Sequence, residues 1–233
     1  MEPVIAAGRL WCRVRAMNKL FSPVFASLVV AAALLTGGCH TAYYSAMETF
    51  GVYKRDLLKK RVVAARDDQK VASEQFKDAL TRLKEMYGFD GGNLEKTYSG
   101  MNKDYERSSE KAEAVKKRIR DVETVAKDLF AEWEKEILQI STPSLQAGSR
   151  KQLAETRARY ESMHASLISA ESSMQPVLTK FHDQVLYLKH NLNAQAITSL
   201  KGETTNIQAE IAQLIKQMNS SIAQADEFIK TMQ

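Results

Sequence analysis

The sequence contains few residues that interrupt or cross-link a chain, with 10 Gly, 4 Pro and 2 Cys among 233 residues. Since glycine and proline are the main breakers of secondary structure, their scarcity predicts long uninterrupted elements. Cys12 lies in a segment that we expect to be removed, which leaves Cys39 without a partner for an internal disulfide. With 44% apolar and 26% charged residues, the composition is that of a folded protein with one sizeable core.

The charge balance argues against one class of partner. Five charged residues precede position 39, and without them the formal net charge falls from +5 to +2. Four of the five are basic and one is acidic: Arg9, Arg13, Arg15, Lys19 and Glu2. A nearly neutral, evenly mixed chain lacks the strongly basic face that nucleic-acid binding requires. We therefore expect no nucleic-acid partner.

Residues 20–38 carry no charge and follow Lys19, which is the layout of an export signal. The stretch ends in LTGGC, residues 35–39, which resembles a lipobox, where small residues precede a cysteine that receives lipid. We predict a signal peptide over residues 1–38, cleavage between Gly38 and Cys39, and a diacylglycerol and palmitate anchor on Cys39. Two alternatives stay open: residues 1–16 are an extension before a true start at Met17, or residues 20–38 form an uncleaved membrane-spanning helix.

The predicted anchor also predicts a location. Each buried CH₂ of an acyl chain contributes about 0.8 kcal/mol, so two or three chains hold a protein on a bilayer almost irreversibly. The residue after Cys39 is His40, whereas resemblance to known lipoproteins links an aspartate there with retention in the inner membrane. By that resemblance we expect the protein on the periplasmic face of the outer membrane of a bacterial envelope.

Apolar residues recur at steps of three and four through the rest of the chain, as on one buried face of a helix. The stripe of the second such segment is the most regular, with Met101, Tyr105, Ser108, Ala112, Val115, Ile119, Val122, Ala126, Leu129, Trp133 and Ile140. The pattern predicts helices at about 44–87, 93–140, 149–190 and 196–232. Because short connections make neighbouring helices antiparallel, we predict an all-α fold in which residues 39–233 form one elongated antiparallel bundle, or coiled coil.

The few turn residues mark the expected helix ends. Glycines within residues 88–92 end the first helix, and Asn93 is the expected cap of the second. Pro143 follows the second helix, and Ser149 is the expected cap of the third. We expect Pro176 to bend the third helix without ending it. A turn within residues 189–195 gives four helices; if this segment stays helical, the third and fourth merge and the bundle has three.

Three segments resemble an uncharacterised family of bacterial lipoproteins, known as domain of unknown function 2959. They are GVYKRD at residues 51–56, FDGG at residues 89–92 and DQVLYLKHNLNAQA at residues 183–196. The last is specific, whereas the first two alone are weak, and the resemblance spans essentially all of residues 39–233. It implies a helical envelope lipoprotein and brings no established activity or catalytic residue.

The sequence offers no recognisable enzyme site, so we expect no catalytic activity, metal or other cofactor. His182 and His190 are the closest pair of histidines, but eight helical positions separate them by about 12 Å, too far to share one metal. The paired serines at 108–109, 172–173 and 220–221 have no accompanying histidine and base.

Two segments are candidates for binding. A basic cluster within about 30 residues of the anchor could face anionic headgroups, or could be an ordinary solvated face paired with carboxylates: Lys54, Arg55, Lys59, Lys60, Arg61 and Arg66. The apolar run of residues 185–188 exceeds one helical stripe, so we expect burial on more than one side. It is either a tightly packed crossing in the bundle or the docking site for a partner or a second copy.

These observations favour a non-enzymatic, lipid-anchored scaffold or interaction protein of the envelope, bound to a membrane through Cys39 and to an unidentified envelope protein, with a homo-oligomer as one option. The alternative function is a membrane-surface module that binds lipid or senses curvature. A periplasmic enzyme of unknown type is the weakest of the three.

Overall fold

The computed structural model describes residues 54–87 and 93–232, which form five α-helices and no strand. The helices are α1 (Lys54–Tyr87), α2 (Leu94–Gln139), α3 (Pro143–Ser172), α4 (Met174–His190) and α5 (Ala194–Thr231). The fold is therefore all-α, as predicted. The predicted signal peptide, its cleavage site, Cys39 and the first ten residues of the predicted first helix lie outside the described residues.

Helices α1 and α2 are antiparallel neighbours, and ion pairs along their length show the register. Residue numbers fall along α1 as they rise along α2 in four pairs: Arg82–Asp104, Asp68–Arg118 at 2.8 Å, Arg61–Asp121 at 3.8 Å and Lys54–Glu132 at 2.7 Å. The pairs run from near the end of α1 to its first residue, so the two helices are in contact along the whole length of α1.

Helices α3 and α4 follow each other along the next position of the bundle. Both contact α2 and α5, and α5 also contacts α1, which closes a ring of four helical positions. Tyr160 of α3 packs on Phe130 of α2 and on Phe228 of α5, while Phe181 of α4 packs on Tyr105 of α2. The arrangement is the predicted antiparallel four-helix bundle, with its third helix divided in two.

The predicted apolar stripes form the core. Every α1 residue of the expected spacing is buried: Leu58, Val62, Ala65, Ala72, Phe76, Ala79, Leu83 and Met86. Since burial of one large aliphatic or aromatic side chain contributes about 1.5–3 kcal/mol, these stripes supply most of the favourable free energy of folding. The α2 stripe is only partly correct, because Tyr105, Leu129, Trp133 and Ile140 are half-buried, whereas Phe130 and Ile137 are buried. A straight α-helix has 3.6 residues per turn, so a stripe drawn at 3.5 drifts off the buried side along a helix of this length. The pattern also missed Phe228, which is buried on α5.

Asparagine side chains cap three of the helix ends. Asn93 accepts a hydrogen bond from the Lys96 N–H at 3.0 Å, as predicted, and Asn193 accepts one from the Ala196 N–H at 2.9 Å. Asn191 donates to the Tyr187 carbonyl at 2.9 Å and thereby satisfies the last turn of α4. The two caps at 191 and 193 separate α4 from α5, so the merged alternative does not occur.

The start of the third helix differs from the prediction. It begins at Pro143, which occupies the first turn, where a missing N–H costs nothing, so Ser149 lies inside α3 and is not its cap. Instead, the Ser149 hydroxyl accepts a hydrogen bond from the Trp133 indole at 2.9 Å. The Gln146 side chain donates to the Ile137 carbonyl at 3.1 Å, which also accepts the Ile140 N–H at 3.3 Å at the end of α2.

Pro176 does more than bend the helix, because α3 ends at Ser172 and α4 begins at Met174. Proline has no N–H for the Ser172 carbonyl and its ring crowds that turn, so the regular hydrogen bonding fails there. The Ser172 and Ser173 hydroxyls donate to the Ser169 carbonyl at 3.1 and 2.9 Å, a pattern that also bends helices. Ser173 nevertheless keeps right-handed helical dihedral angles, so α4 continues along α2.

Helix α1 buries two polar residues, Gln69 and Ser73, and Gln69 lies on the stripe between Ala65 and Ala72. Neither amide atom of Gln69 has a hydrogen-bond partner within the described part of the chain. A buried polar group without a partner costs about 1–3 kcal/mol. Gln69 therefore lowers the stability of the bundle.

Replacing Gln69 with Met should raise the free energy of unfolding by about 1–3 kcal/mol, because a side chain of similar length removes the unpaired amide. Urea unfolding followed by far-UV circular dichroism measures the change. The control Gln152→Met, at an exposed position of α3, should change it by less than about 0.5 kcal/mol. A Gln69→Met protein no more stable than the parent would contradict this account.

Candidate interaction surface

The apolar run of residues 185–188 is divided between the core and the surface. Val185 and Leu188 are 1% exposed, whereas Leu186 and Tyr187 are each 40% exposed. The expectation of burial on more than one side is therefore wrong for half of the run. Successive residues on a helix point about 100° apart, and α4 has helices on its inner side only, so two of the four residues face outward.

Four exposed residues share the outward side of α4, which we call the outer α4 face: Asp183, Leu186, Tyr187 and His190. Their spacing of i, i+3, i+4 and i+7 defines a single helical stripe. Leu192, whose spacing from Leu188 would continue the buried stripe, is 44% exposed in the turn just beyond. The asparagine caps explain this position, because they end the helix before Leu192 can continue its stripe.

A groove of 430 Å³ lies beside Tyr187, between α4 and α5. It is lined by Lys180, Asp183, Gln184 and Tyr187 from α4, and by Ser199, Leu200, Asn206 and Ile207 from α5. Lys180 forms an ion pair with Glu210 of α5. Six of these eight lining residues are polar and two, Leu200 and Ile207, are aliphatic, so the groove offers both hydrogen-bonding groups and apolar contact to a side chain of another molecule.

Aromatic contacts hold α4 in place beneath this surface. The rings of His182 and Tyr105 stack with centroids 4.6 Å apart, and Phe181 meets Tyr105 edge-on at 6.2 Å. Next to Tyr105, the buried Asp104 carboxylate is paired with Arg82 of α1. The outer α4 face is therefore presented by a helix whose inner side is packed.

A second histidine, His164, belongs to the packing between α2 and α3. His164 is 2.8 Å from Glu123 and stacks on Tyr160, with ring centroids 5.4 Å apart. Burial raises the pKa of Tyr160, and the charges of Glu123 and Glu161 raise it further, so its phenol stays neutral. Within residues 54–87 and 93–232, no three His, Cys, Asp or Glu side chains are grouped to hold a metal ion.

The predicted basic cluster is divided between ion pairs and solvent. Lys54 and Arg61 reach carboxylates of α2, and Arg66 binds Asp67 and Asp226, each at 2.7 Å. Arg55 and Lys60 are exposed and Lys59 is half-buried. Asp56 and Asp67 are exposed among them, so the surface carries both signs of charge. Contact of this cluster with lipid stays a prediction.

The corner between α2 and α3 exposes two further leucines, Leu138 and Leu145. A groove of 440 Å³ beside Leu138 is crossed by an ion pair between Arg157 and Glu134 at 2.7 Å. None of the helices in the described ranges is long and apolar enough to cross a membrane.

Comparison with known proteins gives one match. The model of the family described as Protein of unknown function (DUF2959) matches residues 43–232, and the chain belongs to that family. No curated protein and no solved structure matches the chain. The outer α4 face and the adjacent turn fall within the segment 183–196 on which the resemblance was recognised.

Tyr187→Glu should leave the bundle folded, with the free energy of unfolding changed by less than about 1 kcal/mol, because the side chain already reaches solvent. Leu188→Glu, the matched control one position along, should lower it by several kcal/mol, because it buries an unpaired charge. Thermal unfolding followed by circular dichroism measures both. Equal loss of stability in the two variants would show that residue 187 belongs to the core.

Replacing Lys59, Lys60 and Arg61 together with Gln should leave the binding of the unacylated protein to anionic vesicles unchanged. The reason is that exposed carboxylates lie among the basic residues and reduce their joint attraction to a negative surface. Vesicle co-sedimentation at low and physiological salt measures the binding. A clear loss for the triple variant at low salt would instead establish an electrostatic membrane contact.

Proposed function

We propose that this member of the DUF2959 family is a lipid-tethered interaction protein of the bacterial envelope. In this proposal the bundle is held to a membrane through Cys39, and the outer α4 face binds a protein partner. One observation carries the proposal: a well-packed helix turns Leu186 and Tyr187 outward beside a groove, although neither side chain is needed in the core.

The tether is supported by the sequence alone. Residues 20–38 are uncharged and end in two glycines before Cys39. Packing gives no reason for a cysteine at this position, whereas lipidation accounts for it. Acyl chains on this residue would keep the protein on one bilayer leaflet. We assign that leaflet to the periplasmic face of the outer membrane, because His40 and not aspartate follows the cysteine.

The proposed binding face lies far along the bundle from the first described residue. Asp104 pairs with Arg82 near the end of α1, and the neighbouring Tyr105 stacks on His182 just before the outer α4 face. At 1.5 Å per residue, Arg82 is about 40 Å along α1 from Lys54. The face therefore lies near the end of the described bundle opposite to Lys54.

The lining of the groove favours binding over catalysis. Among the described lining residues, Ser199 has the side chain best suited to act as a nucleophile. None of these lining residues is a histidine that could act as its base. Lys180 is paired with Glu210 and would position a charge more readily than transfer a proton. The groove therefore suits recognition of a side chain.

In its native host, the parent protein should fractionate with the outer membrane, and Cys39→Ser should leave the membrane fraction. A photo-crosslinking amino acid at position 186 should give a discrete adduct of defined mass. The matched control at Val71, an apolar α1 residue that is 50% exposed, should give none. The same membrane location for Cys39→Ser would overturn the tether, and equal adducts from positions 71 and 186 would overturn the binding face.

A further inference from the structure

The outer α4 face is complementary to itself. Asp183, a hydrogen-bond acceptor, lies at one end of the stripe, and His190, whose ring can donate, lies at the other. Leu186 and Tyr187 lie between them, and both are exposed. A stripe with an apolar centre and opposite chemistry at its two ends matches a copy of itself running in the reverse direction.

We infer that the partner of the outer α4 face is a second copy of this chain, with the two α4 helices packed antiparallel about a twofold axis. The axis passes between residues 186 and 187. This inference rests on the proposed function in using the same binding face, and it does not require the lipid tether.

The position of the axis follows from the spacing of the stripe. With the axis between residues 186 and 187, Leu186 faces Tyr187 of the second copy, and Asp183 faces its His190. An axis one turn earlier would place Asp183 against Asp183, two like charges. An axis one turn later would carry Leu186 beyond the end of the second α4, which stops at His190. Of these three registers, only the one with its axis between residues 186 and 187 places apolar side chains against each other and the acceptor Asp183 against the donor His190.

The groove beside Tyr187 adds a second element of fit. Leu200 and Ile207 line its α5 side together with the polar Ser199 and Asn206, and Tyr187 borders it on α4. Under twofold symmetry each copy offers an exposed Leu186 and a groove of 430 Å³ next to Tyr187. Each leucine would then reach the neighbouring groove, so the same contact is made twice in one interface.

Sedimentation of the purified full chain, in detergent with micelles in excess over protein, tests the inference. The parent protein should show a reversible monomer–dimer equilibrium. Leu186→Arg should weaken association at least about tenfold, because it places a charge at the centre of the interface. The matched control Val71→Arg, an equal change at an exposed apolar residue of α1, should leave association unchanged. Circular dichroism confirms that both variants keep their helical content.

A charge exchange tests the register independently of Leu186. Asp183→Arg should weaken the dimer by placing two donors together, and His190→Asp should weaken it by placing two carboxylates together. The double variant should associate at least as well as the parent, because each introduced arginine then faces an introduced aspartate of the second copy. If each substitution acted only within its own copy, the second would not reverse the effect of the first, so recovery in the double variant requires contact between the two copies.

A monomer at every concentration would overturn the inference, as would equal weakening by Leu186→Arg and Val71→Arg or a double variant that fails to recover. Two further outcomes distinguish failure of this inference from failure of the proposed function. A crosslinked adduct at position 186 with the mass of a different protein would keep the binding face and exclude the second copy. If the parent protein dimerises but the Cys39→Ser variant stays in the membrane fraction, the second copy is supported as the partner and the tether is excluded.

Discussion

The structure depends on burying one apolar stripe from each position of the bundle at once. A single amphipathic helix of this kind has no stable way to hide its stripe, and four of them in a ring exclude water from all. This requirement sets the antiparallel order, because each helix must return past its predecessor. The ion pairs between α1 and α2 lie on the rim of this contact, where they add specificity of register and little free energy.

The exposed apolar side chains of α4 matter because most large apolar side chains of the bundle are buried. Leu138, Leu145 and Val71 are also exposed, but Leu186 and Tyr187 lie together on one helix face, each 40% exposed, between the buried Val185 and Leu188. Their helix is fixed by aromatic contacts of Phe181 and His182 with Tyr105. A rigid helix that offers apolar groups to solvent loses less conformational entropy on binding than a mobile loop would. The proposed function and the twofold inference both build on this feature.

Much of the fold was predictable from local rules. The three-and-four spacing located the helices, and Asn93 was identified as a cap from its position after a glycine turn. The rules failed where two local signals competed. Ser149 looked like a cap, yet Pro143 already provides a good first turn and lets the helix start earlier. Pro176 was expected to bend a helix, and serine hydroxyls bonded to the Ser169 carbonyl help to turn that bend into a break.

The sequence by itself determined the helical class and most of the stripe residues, because each depends on residue types at short spacings. The lipid anchor and its location stay predictions that rest on the sequence alone. Only the tertiary structure decided which side of α4 faces outward. The run of residues 185–188 is apolar throughout, so its composition cannot distinguish inner from outer residues. That choice follows from where α2 and α5 contact α4, and it leaves Leu186 and Tyr187 at the surface. The ion-pair partners of the basic cluster also depend on how the helices pack. Asp226, which binds Arg66, lies 160 positions away from it in the sequence.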